Sequence, residues 1–273
     1  MWIGGQPGDS IDATDRGLNY GDGLFETVAV VQGQPKLWQA HMERLQSGCD
    51  RLNIPFPGAD LLMGEMEKAV PDRGNGVLKI VVTRGPGGRG YRPPETLHPT
   101  RIVAFHPAPT YPAACWTEGV TTRICETRLG RNPSLAGMKH LNRLEQVLAR
   151  QEWCDDSIAE GIMFDTEGRL VSGTMSNIFL VSGGRLTTPS LSRCGVEGVM
   201  RRQVLDIATH LGMAVEIRDI PADRLGQADA VFLTNALMGI WPVRQIDNQV
   251  FSPDAVPAAL REHITQHALP RPT

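Results

Sequence analysis

Lysine is scarce in this sequence. Of 27 basic residues only four are lysines (Lys36, Lys68, Lys79 and Lys139), and the remaining 23 are arginines. Covalent chemistry that needs a primary amine to attack a carbonyl group therefore has four candidates. Lys36 follows a turn and Lys68 lies in Glu65-Met66-Glu67-Lys68, which is the setting of solvated surface groups. Lys79 interrupts an apolar strand pattern and is expected to point outward from a half-buried sheet. Lys139 is different: it stands between the loop Leu135-Ala136-Gly137-Met138 and a helical pattern, flanked by small and apolar residues. An amine held in such surroundings gives up its proton more easily and becomes a nucleophile. On local sequence alone, a lysine on a helix's first turn with its head in solvent accounts for the same residues better.

Other side chains could act on a small anionic molecule. Arg89 and Tyr91 lie in the glycine-rich loop RGPGGRGYRPPE, suited to closing over a dianion, since a guanidinium fork binds carboxylate through two hydrogen bonds. A mobile surface loop with nothing to bind reads the same. Gly198-Val199-Met200 opens a helix, where a glycine lets the backbone approach a phosphate; an ordinary helix start is the simpler reading. Thr234 and Asn235 end a strand, as a phosphate cradle or as a polar turn. Asp22 and Glu26 have the spacing of an acid–base pair, but the Gly-Asp-Gly turn around Asp22 explains them better.

These residues must be positioned by a mixed set of elements. A hairpin turn is expected at Gly33, followed by a helix from about Leu37 to Leu52, whose Trp38, Met42, Leu45, Cys49 and Leu52 form one face. A weaker helix follows at Leu61–Ala69, then strands at Val77–Thr83 and Arg101–Phe105. Past a proline-rich stretch come a strand near Val120–Cys125 and a helix running from Lys139 to about Glu152, with Leu141, Leu144 and Leu148 on one face. A β-meander is expected next, with LVSGTMSNIFLV as a single strand. A helix at about Gly198–Leu211, strands in AVEIRD and AVFLTN around a short helix near Asp223, the strands WPVRQI and QVF, and a terminal helix from about Asp254 complete the chain. Strands and helices mix without strict alternation, which places the protein in the α+β class in two lobes. Three prolines in His106–Pro112 mark the boundary: a small N-terminal α+β domain at 1–107, a linker at 108–112 and a larger C-terminal domain at 113–273.

The 273 residues carry a net charge of −3 and 41% hydrophobic residues, an ordinary globular composition that leaves no basic patch for nucleic acid. No apolar run approaches the roughly 20 residues that span a bilayer, and the N-terminus does not read as a signal peptide. Five scattered cysteines with no CxxC pair fit reduced, buried thiols in a cytoplasmic protein, and neither a disulfide framework nor a metal site.

The string RLGRNPSLAGMKHLNRLEQVLAR (128–150) resembles the aminodeoxychorismate lyases, a family within the fold-type-IV pyridoxal-phosphate enzymes that also include the D-amino-acid and branched-chain aminotransferases. Further blocks agree in order: DRGLNYGDGLFET (15–27), HMERL (41–45), TRGPGGRGY (83–91), SGTMSNIF (172–179), GVEGVMR (195–201) and TNALMGIWPV (234–243). The resemblance covers nearly the whole chain, with the Lys139 block and the GGRGY loop peculiar to the lyases. It implies a small N-terminal α/β lobe and a larger barrel-like C-terminal lobe. It also implies pyridoxal 5'-phosphate as cofactor, a homodimer, and release of pyruvate from 4-amino-4-deoxychorismate to give 4-aminobenzoate for folate synthesis. Lys139 would carry the covalent link to the cofactor. Arg44 would be the cation for its phosphate, with Asn177, Val199, Met200, Thr234 and Asn235 around it. Thr27 would lie beside the cofactor and assist proton movement or the departing enol, while Arg89 and Tyr91 would bind substrate. His140, about 100° from Lys139 on a helix start, is expected in a supporting role.

One departure stands out. Transaminases of this superfamily have Glu-Gly where this chain has Ser172-Gly173, and that glutamate faces the ring nitrogen. A serine there hydrogen-bonds a neutral nitrogen and leaves the ring a weaker electron sink. This favours the lyase, whose reaction is also driven by aromatisation, over a D-amino-acid or branched-chain aminotransferase. A non-catalytic relative with a decayed cofactor site is the third reading.

Overall fold

A computed structural model describes residues 1–271. The chain forms two compact units, one of residues 1–109 with 138–142 and the other of residues 110–137 with 143–273.

The first unit contains β1 (Trp2–Ile3), β2 (Gln6–Pro7), α1 (Arg16–Tyr20), β3 (Gly23–Val31), β4 (Gln34–Pro35), α2 (Trp38–Leu52), α3 (Ala59–Ala69), β5 (Gly76–Thr83) and β6 (Arg101–Pro107). Its six-stranded sheet has the order β2-β1-β6-β5-β3-β4 and is antiparallel throughout. The turn joining β3 to β4 has Gln32 and Gly33 both at positive φ, the backbone that a tight two-residue hairpin requires. Met42, Leu45 and Cys49 of α2 are buried, so the apolar stripe read from the sequence is the face that packs on the core.

The second unit contains α4 (Ala114–Thr117), β7 (Val120–Ile124), α5 (Leu144–Arg150), β8 (Ile158–Phe164), β9 (Arg169–Gly173), β10 (Asn177–Ser182), β11 (Arg185–Pro189), α6 (Val199–His210), β12 (Val215–Arg218), β13 (Ile220–Pro221), α7 (Ala222–Leu225), β14 (Ala230–Asn235), β15 (Gly239–Ile246), β16 (Gln249–Val250) and α8 (Ala258–Thr265). Its sheet runs β12-β11-β10-β14-β15-β7-β8-β9-β13, with β16 added on β15. The core beneath it is built from Trp116, Ile162, Phe164, Ile178, Leu233, Trp241 and their neighbours.

Three expectations are corrected. The helix expected from Lys139 begins only at Leu144. Residues 139–141 are instead extended against β3: the N–H of Phe25 donates to the carbonyl of Lys139, and the N–H of Leu141 donates to that of Gly23. Backbone groups committed to a neighbouring strand are lost to a helix. The leucine stripe of that helix is not a buried face either, since Leu144 is 76% exposed and Leu148 is exposed too. Periodicity finds an apolar stripe but not what covers it. Finally, LVSGTMSNIFLV is two strands broken at residues 174–176, because a buried carboxylate, Glu160, captures the polar groups of that turn.

Candidate active site

In the first unit the lysine of interest is fixed by sheet pairing. An isolated bridge joins Leu24 to His140, and together with the two backbone bonds at Phe25 and Leu141 it makes residues 139–141 a short strand on β3. In extended backbone successive side chains alternate between faces, which replaces the helical angle expected to separate Lys139 from His140. The half-buried Lys139 holds its Nζ 4.2 Å from the centroid of the Phe25 ring, a favourable distance for a cation over an aromatic face. Asn142 donates to the carbonyl of Gly21 at 3.1 Å.

Strand β3 sorts its side chains by the period of two. Phe25 and Thr27 share one half-buried face, and Glu26 points to the other. Thr27 pairs directly with Lys79 of β5, and the exposed Lys79 also lies 5.9 Å from the Phe25 ring. Phe25, Thr27, Lys79 and Lys139 thus form one group around an aromatic ring. Lys79 points outward as expected, but its cross-strand partner could be found only from the register.

Glu26 lies behind this face and is almost fully buried. Its Oε2 takes the ring Nδ1 of His41 at 2.6 Å, and Arg44 donates from Nε to Oε1 at 2.8 Å and from Nη2 to Oε2 at 2.5 Å. Burial works to raise the Glu26 pKa, but the Arg44 charge and the His41 hydrogen bond outweigh it and hold the carboxyl at about 2. Burial lowers the His41 pKa against the pull of Glu26, so the ring is neutral, with the Nδ1 hydrogen on Glu26 and a buried Nε2 without a hydrogen-bond partner. Arg44 is therefore no surface arginine; it is held by a buried anion. Asp22 is occupied separately by Arg16 at 2.9 Å and Arg84 at 2.7 Å, so Asp22 and Glu26 are two ion pairs and not an acid–base couple. Sequence reasoning set Glu26 aside together with Asp22 and passed over His41. The available signal was that His41 and Arg44 lie one helical turn apart and can face one acceptor.

Arg89 and Tyr91 are both exposed, Tyr91 at 84%. Their loop is not loose: Arg16 donates to the carbonyls of Gly90 and Tyr91, each at 3.0 Å.

The second unit gathers a different set. Asn177, at the start of β10, accepts the N–H of Gly198 at 3.1 Å and donates to the carbonyl of Val196 at 2.9 Å. Gly198 precedes α6, whose first residues Val199 and Met200 are buried and whose first turn no side chain caps. A Cβ on Gly198 would run into Asn177 Oδ1, so glycine is required by the close approach of that amide. Uncapped N–H groups at a helix start, reached over a glycine, suit a phosphate. Thr234 donates to the carbonyl of Gly239 at 2.7 Å, and Asn235 Oδ1 accepts from the N–H groups of Leu237 and Met238, so both side chains build the turn that leaves β14. Ser172 is buried and donates to the carbonyl of Gly173 at 2.8 Å.

Glu160, which the sequence reading did not single out, is 1% exposed. It accepts from the N–H groups of Gly161, Thr174 and Met175 and from the hydroxyls of Thr174 and Ser176. It thereby fixes the turn between Ser172 and Asn177. Among the described residues no group of His, Cys, Asp and Glu side chains could hold a metal ion, and no helix is long and apolar enough to cross a membrane.

The profile of the amino-transferase class IV family matches residues 23–246. The chain belongs to that family. Its members are pyridoxal-phosphate enzymes, and the chain is similar over most of its length to two lyases among them. An aminodeoxychorismate lyase of Vibrio harveyi is 38% identical over 247 residues, covering 90% of this chain and 91% of the relative. The crystal structure of 4-amino-4-deoxychorismate lyase from Pseudomonas aeruginosa is 46% identical, with a TM-score of 0.90 over 97% of this chain and 96% of that one. A D-alanine aminotransferase of Bacillus licheniformis is 25% identical over 93% of this chain and 89% of the relative. The class IV fold therefore serves both activities, and the side chains must decide between them.

Proposed function

We propose that this class IV protein is an aminodeoxychorismate lyase, which eliminates pyruvate from 4-amino-4-deoxychorismate and releases 4-aminobenzoate for folate synthesis. The observation that carries the reading is the group formed on β3: an amine at Lys139 held over Phe25, with the Thr27 hydroxyl on the same strand face. The similarity to two lyases over nine-tenths or more of the chain supports it.

Pyridoxal phosphate, when bound, supplies an electron sink conjugated to the substrate carbon that bears nitrogen. The rest falls to the chain. Lys139 Nζ would hold the cofactor through its aldehyde carbon, and as a free amine would take the proton from the ring carbon bearing nitrogen and pass it to the departing enol. Thr27 Oγ1 donates a hydrogen bond to the enol oxygen of pyruvate as the carbon–oxygen bond breaks. The resemblance gives the phosphate to Arg44, which Glu26 orients, and to the N–H groups of Val199 and Met200. By the resemblance Ser172 would stand at the ring nitrogen, where its hydroxyl, which here donates to the Gly173 carbonyl, brings no carboxylate charge; this suits an elimination driven by aromatisation better than a transamination. Arg89 and Tyr91 bind substrate carboxylate. By the same reading the protein is a cytoplasmic homodimer, and the exposed Leu144, Val147 and Leu148 of α5 offer an apolar surface for association.

The test is Lys139→Ala. Purified wild-type protein is expected to show a visible absorbance band that borohydride abolishes, with the reduced adduct mapping to the peptide containing Lys139. The variant is expected to lack both band and activity, and retention of either defeats the assignment. Release of 4-aminobenzoate with no keto acid present separates the lyase from an aminotransferase, which needs an acceptor such as 2-oxoglutarate.

A further inference from the structure

The loop that carries Arg89 is fastened on one side by Arg16 and Tyr20 of helix α1. Arg16 is buried in helix α1. Its Nε donates to Asp22 at 2.9 Å, and its two remaining nitrogens donate to the successive carbonyls of Gly90 and Tyr91, each at 3.0 Å. One turn on, Tyr20 lies under the Arg16 guanidinium, 4.8 Å from it, and its hydroxyl accepts the N–H of Gly90 at 3.2 Å. The Tyr20 and Tyr91 rings meet edge to face at 5.6 Å. Gly87 packs against the Arg16 stem so closely that a Cβ would come within 2.8 Å of Arg16 Cδ. The anchor is itself braced, because Asp22 also accepts from Arg84, which in turn donates to the carbonyls of Leu52 and Asn53. The backbone is thus gripped both before and immediately after Arg89, while the Arg89 side chain stays exposed.

We infer that Arg16 is a positioning residue for substrate: its fork on the Gly90 and Tyr91 carbonyls sets where Arg89 and Tyr91 meet the substrate carboxylates. The inference rests on the lyase reading. A planar fork can hold two successive carbonyls and a carboxylate at once; a lysine can neutralise Asp22 but cannot bridge all three. Charge compensation and loop positioning therefore separate in Arg16→Lys.

The experiment compares wild-type holoenzyme with Arg16→Lys in three measurements. Thermal stability and the cofactor absorbance are expected to change little. Tryptic cleavage of the Arg89–Gly90 bond, followed by mass spectrometry, is expected to accelerate, whereas the Arg92–Pro93 bond resists trypsin in both. KM for 4-amino-4-deoxychorismate is expected to rise about tenfold or more while kcat stays within about threefold, as for a misplaced binding group remote from the bond broken. Should Arg16→Lys fail to fold, Tyr20→Phe removes one hydrogen bond from the same clamp and is expected to raise KM about threefold. A wild-type protein that releases no 4-aminobenzoate overturns the lyase reading and this inference with it. An active wild type with unchanged KM in the variant, whether or not the loop is cut faster, overturns this inference alone.

Discussion

Replacing Glu26 by Gln is expected to destabilise the first unit strongly. The carboxylate is buried and accepts from His41 and twice from Arg44, whose side chain is only 14% exposed. The amide keeps one acceptor and turns an N–H₂ group toward donors, leaving the Arg44 charge with no anion on that side. Breaking one partner of a buried pair costs about 3–5 kcal/mol. The depressed pKa leads to a similar figure: a carboxyl whose pKa falls from 4.5 to about 2 on folding contributes about 3 kcal/mol at neutral pH, at 1.36 kcal/mol per pH unit. Because the folded pKa is depressed, this stabilisation is complete above the ordinary value of 4.5. It is lost as pH falls toward about 2, with about 2 kcal/mol gone by pH 3. His41 acts in the same direction, since its pKa is lowered by burial and the neutral ring must be charged as the medium turns acid. Urea unfolding of wild type and Glu26→Gln at pH 7 and pH 3 is the assay, with hydrogen exchange at α2 amides locating the loss in the first unit. The gap is expected to be about 3–5 kcal/mol at pH 7 and to shrink by about 2 kcal/mol at pH 3. A gap below about 1 kcal/mol at pH 7, or one that does not change with pH, refutes the ion-pair account.

Gly198→Ala pushes a methyl group into Asn177 Oδ1 and is expected to weaken pyridoxal phosphate binding about tenfold or more, read by titrating apo-protein at the visible band. Unchanged affinity would remove the turn before α6 from the phosphate site. Glu160→Ala leaves five donors without their acceptor, at about 1–3 kcal/mol for each one that water does not reach, so a loss of at least about 3 kcal/mol is expected in chemical denaturation. Glu160→Gln keeps an oxygen for some of these donors and is expected to lose about half as much; an equal loss in the two variants would contradict the hydrogen-bond account.

What the sequence made legible was local. The stripe Met42, Leu45 and Cys49 predicts helix α2 and its buried face because a 3.6-residue period leaves one side for the core, and the structure has it so. The β5 and β6 runs are legible for the same kind of reason, as β-branched segments bounded by turn residues. The turn at residues 174–176 was not legible, because what breaks the strand there is a carboxylate fourteen or more positions earlier. Nor was the Glu26–His41–Arg44 cluster, which needs β3 laid against α2 before an anion and two donors meet. The Leu144 and Leu148 stripe failed in the opposite way, since the pattern was real and the burial was not.

The placement of Lys139 shows most clearly why pairing, and not propensity, sets the direction of side chains in the first unit. Had residues 139–143 continued the helix, their N–H groups would bond four residues back and the lysine's direction would depend only on helical phase. Extended, they exchange bonds with Gly23 and Phe25, and Leu24 pairs with His140. The side-chain period of a strand is two, so a slip of one residue would exchange the faces of Lys139 and His140. An imidazole would then stand over Phe25 where the amine now is. The pairing opposes that slip at both ends: Gly23 has no room for a Cβ beside the Val82 carbonyl and Leu141, and Asn142 closes the segment on the carbonyl of Gly21. The direction of the Lys139 amine is thus a matter of register, fixed by two glycines and an asparagine.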